Sequence, residues 1–209
     1  MKIRLGVIGE EENINILQEV IEEYNDYEIT AFIDPDGTHT LNIIDNHQQE
    51  FDSWLVFDQI NYLHIKNWGK AQKPVYYIPY RGASFYKTLC TAIYQGFKID
   101  ELSIDTIPYY DITRALDDMQ INYNVINYLS DEHGALSLNG YAAFHRELFK
   151  KGITKAAVTK SCYVKSLLES EGIPAFCIMP VRVTVRNILN VILTQFRIKK
   201  LQEGQIAVQ

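Results

Sequence analysis

Apolar residues along this chain alternate between short dense runs and stretches where they recur every three or four positions. Dense runs mark buried strands, and the wider spacing marks one face of a helix. Residues 3–8 (IRLGVI) read as a strand, and within 13–24 Ile14, Leu17, Ile21 and Tyr24 share one helical face. A strand follows at 27–33, a weaker helix at 40–49, and a short buried strand at 54–57. A helical stretch at 59–69 leads to a strand at 74–79 and a helix at 84–94, which Gly96 ends. The rhythm then restarts. Strands at 101–107, 123–129, 156–159 and 174–178 alternate with helices at 112–119, 138–149 and 162–171, and a long helix spans 182–201.

Such alternation predicts an α/β fold with parallel sheets, here as two Rossmann-like or flavodoxin-like lobes and a long C-terminal helix. The expected division is 1–100, then 101–181, then 182–209, whose tail "QIAVQ" reads as the first strand of an output domain. Val185, Ile188, Leu189, Ile192 and Phe196 form a stripe on the terminal helix wider than one lobe needs. That stripe is expected to pack on the second lobe and to support a homodimer.

Composition narrows the function. With 47% apolar residues in 209, the chain can build a sizeable core, and a net charge of −6 with no basic stripe excludes direct nucleic-acid binding by these residues. DNA contact is therefore expected only through a domain outside this sequence. No apolar run approaches the ~20 residues needed to span a bilayer, and Arg4 interrupts the first one, so no signal peptide is expected. Cys90, Cys162 and Cys177 each sit in an apolar run without metal spacing. They read as buried thiols of a reducing, cytoplasmic compartment. Neither metal nor cofactor is expected.

The opening turn "GVIGEEEN" (residues 6–13) resembles the start of a nucleotide-binding domain, with Asp34 in "FIDPDG" at the place of a ribose-binding acid. A dinucleotide site needs further glycines. Glu10, Glu11 and Glu12 stand there instead, and they suit the helix dipole while repelling phosphate.

"PYRGASFYK" (79–87) joins a strand's carboxyl end to a helix, where α/β folds bind ligands. Arg81 offers a forked donor, Gly82 a bare backbone and Ser84 a cap. "VTKSCYVK" (158–165) repeats this arrangement, with Thr159 and Ser161 flanking a helix start suited to a small anion. Cys162 also suits a racemase-type nucleophile, although that chemistry needs a base and an opposing partner. Tyrosines cluster at 76–77, 80, 86, 109–110, 123 and 128, and such rings line pockets well. His133 and His145 lack metal-ligand spacing.

The run "FHRELFKKGITKAAVTKSCYVKSLLESEGIPAFCIMPVRVTVRNIL" resembles the sensory regions of bacterial cytoplasmic transcription and signalling regulators of the propionate-activator type. Lys151-Gly152, Val158-Thr159 and Gly172-Ile173-Pro174 follow the order of that family's strand, helix and final-helix elements. The resemblance implies a ligand-sensing module separated from its effector domain, and only Thr159 and Ser161 fall at a turn that matches the family's anion site. The residues themselves point to a small, anionic ligand between the two lobes, at Arg81, Gly82, Ser84, Thr159 and Ser161. The alternative is an enzyme of racemase or nucleotide-handling type using the same cleft.

Overall fold

The computed structural model describes residues 2–57, 59–80, 82–130 and 136–206. The chain is α/β, with two four-stranded parallel sheets and a long C-terminal helix. It divides into two units, one built from Met1–Pro79 with Pro180–Gln209 and the other from Tyr80–Met179.

In the first unit, β1 (Ile3–Gly9), α1 (Glu11–Ile21), β2 (Tyr27–Ile33), α2 (Thr40–His47), β3 (Ser53–Val56), α3 (Gln59–Trp68) and β4 (Val75–Tyr77) alternate strictly. The parallel order is β2-β1-β3-β4. Ile8, Ile44, Phe51, Trp54, Val56, Ile65 and Val75 form one of its cores. The glycines of the opening turn serve this packing. A Cβ on Gly6 would come within 2.4 Å of the Trp54 ring, and one on Gly9 within 2.5 Å of Phe57. Gly9 is thus bare to admit a core ring. Asp34 is likewise engaged. Its buried carboxylate accepts from the Thr40 hydroxyl at 2.6 Å and from the His39 N–H at 3.3 Å, securing the start of α2.

The second unit opens with α4 (Ala83–Tyr94) and continues through β5 (Leu102–Asp105), α5 (Tyr109–Asp118), β6 (Asn127–Leu129), α6 (Leu138–Lys150), β7 (Ala156–Thr159), α7 (Cys162–Ser170) and β8 (Ala175–Cys177). Its order, β6-β5-β7-β8, repeats that of the first unit. Tyr141, Ala142, Ala157, Val164, Leu168, Ile173 and Ala175 form a core cluster between its sheet and α6–α7.

The partition differs from the expected break near residue 100. After β4 and again after β8 the chain runs through a proline, Pro79 or Pro180, and the next helix belongs to the other unit. Proline lacks an N–H and holds its predecessor extended, which ends a strand cleanly. Helix α4 therefore joins the second unit. Helix α8 (Arg182–Ile206) joins the first, packing on α1 and β4.

Val185, Leu189 and Ile192 are buried inside the first unit, while Ile188 and Phe196 of the same stripe are half-buried. The Tyr27 hydroxyl donates to the Leu189 carbonyl, and burial pushes its pKa well above the usual phenol value. Along the α1 edge, Arg182 pairs with Glu19 and Arg186 with Glu23, both at 2.6 Å, and Arg197 reaches Asp26 at 3.0 Å. The helix runs past Gly204 to Ile206, beyond the expected end at 201. Residues 207–209 of the supposed output strand lie outside the described residues, and Gln205 and Ile206 are helical. Cys90, expected to be buried, is exposed on α4. Among the described residues no helix is long and apolar enough to cross a membrane.

Candidate functional site

Gly82, Ser84, Thr159 and Ser161, the described residues among those expected to bind ligand, belong to the second unit. Arg81 lies outside the described residues, as does His133. Gly82 and Ser84 stand at the start of α4, and Thr159 and Ser161 at the carboxyl end of β7 and the turn after it, which is where parallel α/β sheets take ligands.

Gly82 precedes α4 with φ +68°, a left-handed conformation that glycine adopts without cost, and a Cβ there would meet nothing within 4 Å. No side chain caps the helix. Ser84, expected as the cap, is fully buried, and its hydroxyl finds no hydrogen-bond partner among the described residues. At the β7–α7 turn the hydroxyls are already committed. Thr159 Oγ1 accepts from the Ser161 N–H, and Ser161 Oγ accepts from the Val164 N–H, both at 3.3 Å, so Ser161 is the cap of α7. Lys160 Nζ stands 5.5 Å from the centroid of the Tyr80 ring, a cation–π distance.

Beneath this edge lies a buried polar set with no counterpart in the expectations. Asp105 ends β5 at 1% exposure. Its Oδ1 accepts from the Thr106 hydroxyl at 2.7 Å and from the Lys160 N–H at 3.3 Å, and its Oδ2 lies 3.1 Å from His145 Nε2. His145 Nδ1 lies 2.7 Å from Ser103 Oγ, which also reaches the Ala156 carbonyl at 3.3 Å. A serine, histidine and carboxylate together suggest hydrolysis, which needs a nucleophile that a substrate can reach. Here all three sit at 0–1% exposure. They form a brace that ties α6 to β5 and the β7–α7 turn. Thr106, the next residue, adopts φ +54°, and it hands the chain to α5.

That handover shapes a cleft of about 250 Å³ between α4 and α5. Phe85, Ile107 and Ala115, all nearly buried, make an apolar floor. Tyr86 and Tyr110 make walls, and Gly82, Asp111 and Arg114 complete the lining. Arg114 donates to the Tyr110 hydroxyl at 3.0 Å, a neutral partner that leaves its charge uncompensated by that bond. The Tyr86 hydroxyl donates to Asp118 Oδ2 at 2.8 Å, and this carboxylate raises the phenol's pKa, keeping it a donor near neutrality. A small apolar floor with a few convergent polar groups is the usual chemistry of a metabolite pocket. Among the expected site residues, Gly82 lines the cleft, while Ser84, Thr159 and Ser161 do not.

Tyr86 and Tyr110 had a sequence signal in the tyrosine clusters. Arg114 had only its spacing, one helical turn after Tyr110. Cys162, the conceivable nucleophile, is buried with its Sγ 3.1 Å from Met179 Sδ.

No protein-family model and no curated protein matches the sequence. Among solved structures the chain is similar to an NtrC family transcriptional regulator from Clostridium acetobutylicum. The two are 14% identical, with a TM-score of 0.68 over 95% of this chain and 99% of that one. The chain shares its fold with that regulator. Looser likenesses are a carbohydrate transporter from Acidothermus cellulolyticus in complex with myo-inositol and a LacI family transcriptional regulator from Enterococcus faecium with bound ribose. Each is 14% identical; the TM-scores are 0.42 and 0.39, over 84% and 81% of this chain and 72% of each of those.

Proposed function

We propose that this chain is the small-molecule-sensing module of a bacterial transcription or signalling regulator, acting in the cytoplasm, with its ligand in the α4–α5 cleft. The cleft carries this reading: a buried apolar floor, two phenols, one guanidinium and one carboxylate converge on a volume suited to a small metabolite. The fold shared with a transcriptional regulator supports it. A ligand with an apolar body and a carboxylate end would give Arg114 a charge-assisted partner stronger than the Tyr110 hydroxyl. Gly82 leaves room for close approach, and Arg81, its neighbour in sequence, is a second cation for the same anion. Thr159 and Ser161 act here as supports of the adjoining turn. A homodimer through α8 would use the exposed Val191, Ile198 and Leu201.

Thermal melting against a panel of small carboxylic acids, amino acids and polyols tests this function. A binder at about 100 times its Kd adds about 2.7 kcal/mol, or roughly 5–10 °C for a chain of this size. The carboxylates should give that shift in the wild type and lose it in Arg114→Ala and Tyr110→Phe, with melting of the unliganded variants unchanged. A shift that survives Arg114→Ala, or no shift with any member of the panel, overturns the assignment.

A further inference from the structure

Three sulfurs meet at the carboxyl end of the second unit's sheet, away from the cleft lining. Cys162 opens α7, Cys177 ends β8, and Met179 follows two residues later. Cys162 Sγ lies 3.1 Å from Met179 Sδ and within 4.8 Å of Cys177 Sγ. Cys177 Sγ also points at the Lys160 carbonyl, 3.7 Å away. Cys162 is buried, whereas Cys177 and Met179 are half-buried, so the cluster has a way in.

We propose that Cys162, Cys177 and Met179 form a binding site for a soft monovalent metal ion, with Cu(I) as the chemical fit. Sulfurs that share one ion at about 2.3 Å stand about 4 Å apart in a trigonal arrangement, and the two spacings from Cys162, 3.1 Å to Met179 and under 4.8 Å to Cys177, bracket that value. The thioether is the discriminating group. Thiolates suit both zinc and Cu(I), but the thioether is not among zinc's usual ligands, so the mixed set fits Cu(I) better. On binding, each cysteine releases its thiol proton to solvent, so uptake weakens with acid. No metal spacing is visible along the chain because the ligands come from two elements whose ends the β7–β8 pairing brings together.

The test is a competition on the purified full chain under anaerobic, reducing conditions, with Cu(I) supplied as its bicinchoninate complex. The wild type should withdraw one equivalent, and X-ray absorption should show sulfur alone around the copper. Changing groups that merely support a metal ligand costs about 10–100-fold in affinity, so Cys162→Ser and Cys177→Ser should each cost more than 100-fold. Met179→Leu keeps the apolar bulk and should weaken binding without altering the far-ultraviolet circular dichroism. Cys90→Ser, on the exposed face of α4, should change nothing. Failure to withdraw Cu(I), retention of full affinity in Cys162→Ser, loss in Cys90→Ser, or displacement of Cu(I) by equimolar Zn(II) each overturns the proposal. The outcome is independent of the cleft, because none of these residues lines it.

Discussion

Helix α8 meets α1 in the first unit, and α4 meets α5 in the second. By element order and sheet order the two seams are equivalent. The first is closed by three arginine–carboxylate pairs along its edge and by the buried Tyr27 hydroxyl on the Leu189 carbonyl. The second holds one phenol–carboxylate bond, Tyr86 to Asp118, and leaves a cleft where Arg114 bonds the Tyr110 phenol and feels the Asp118 carboxylate only through its field. Arginines already set against glutamates gain little from a further anion. One set against a hydroxyl can trade up. The same topology thus gives a fastened seam and a receptive one, according to what its cations face.

The largest expected effect comes from the brace beneath the receptive seam. Asp105→Ala leaves buried His145 and the Lys160 N–H without their carboxylate, and each buried partner left unsatisfied costs about 1–3 kcal/mol, so the two together give the largest loss. Urea denaturation should show this, with Asp105→Asn recovering part of the loss. If Asp105→Ala melts like the wild type, the network is not what shapes the second unit.

Next is Leu189→Ala in the fastened seam. The side chain is fully buried, and truncating such a leucine costs about 2–5 kcal/mol. A smaller cost would mean that α8 is held by its surface pairs. Arg114→Ala should leave stability alone and remove the carboxylate response, which separates binding from folding.

The smallest effect is that of Glu19→Gln with Glu23→Gln. These pairs are exposed, so their contribution is slight and screened by salt. The hydrogen bond from Arg186 holds the Glu23 carboxyl below its ordinary value. A lowered pKa stabilises above the unfolded carboxylate value, about 4.3, and the benefit is lost as pH falls through the lowered one. Melting followed below about pH 4 should therefore decline more in the wild type than in the double variant.

Much of this fold was legible in strand–helix alternation, because parallel strands buried on both faces leave dense apolar runs. Which sheet each helix would serve was not. The stripe of Val185, Leu189 and Ile192 says that α8 buries a face, yet it is silent about the partner. Proline after β4 and after β8 was the available signal. The apolar neighbours of Cys90 mislead, since Leu89 and Ala92 face inward while Cys90 and Thr91 between them face out. Gly82 was legible as a bare backbone position. Arg114 was not, because it becomes a site residue only where α5 lies along α4. The Ser103–His145–Asp105 set was hidden by separations of 42 and 40 residues.

The crossing of the chain after Pro79 and back at Pro180 also sets an order of events during synthesis. Nascent chains usually complete their N-terminal portion first. Here the first unit waits for its last helix while residues 80–179 are translated, a delay of roughly 5–20 s at about 5–20 residues per second. Through that interval the Tyr27 hydroxyl has no Leu189 carbonyl to meet. The second unit, contiguous in the message, is whole before the first. A fragment ending at residue 179 carries one finished unit and one still missing the helix that fastens it.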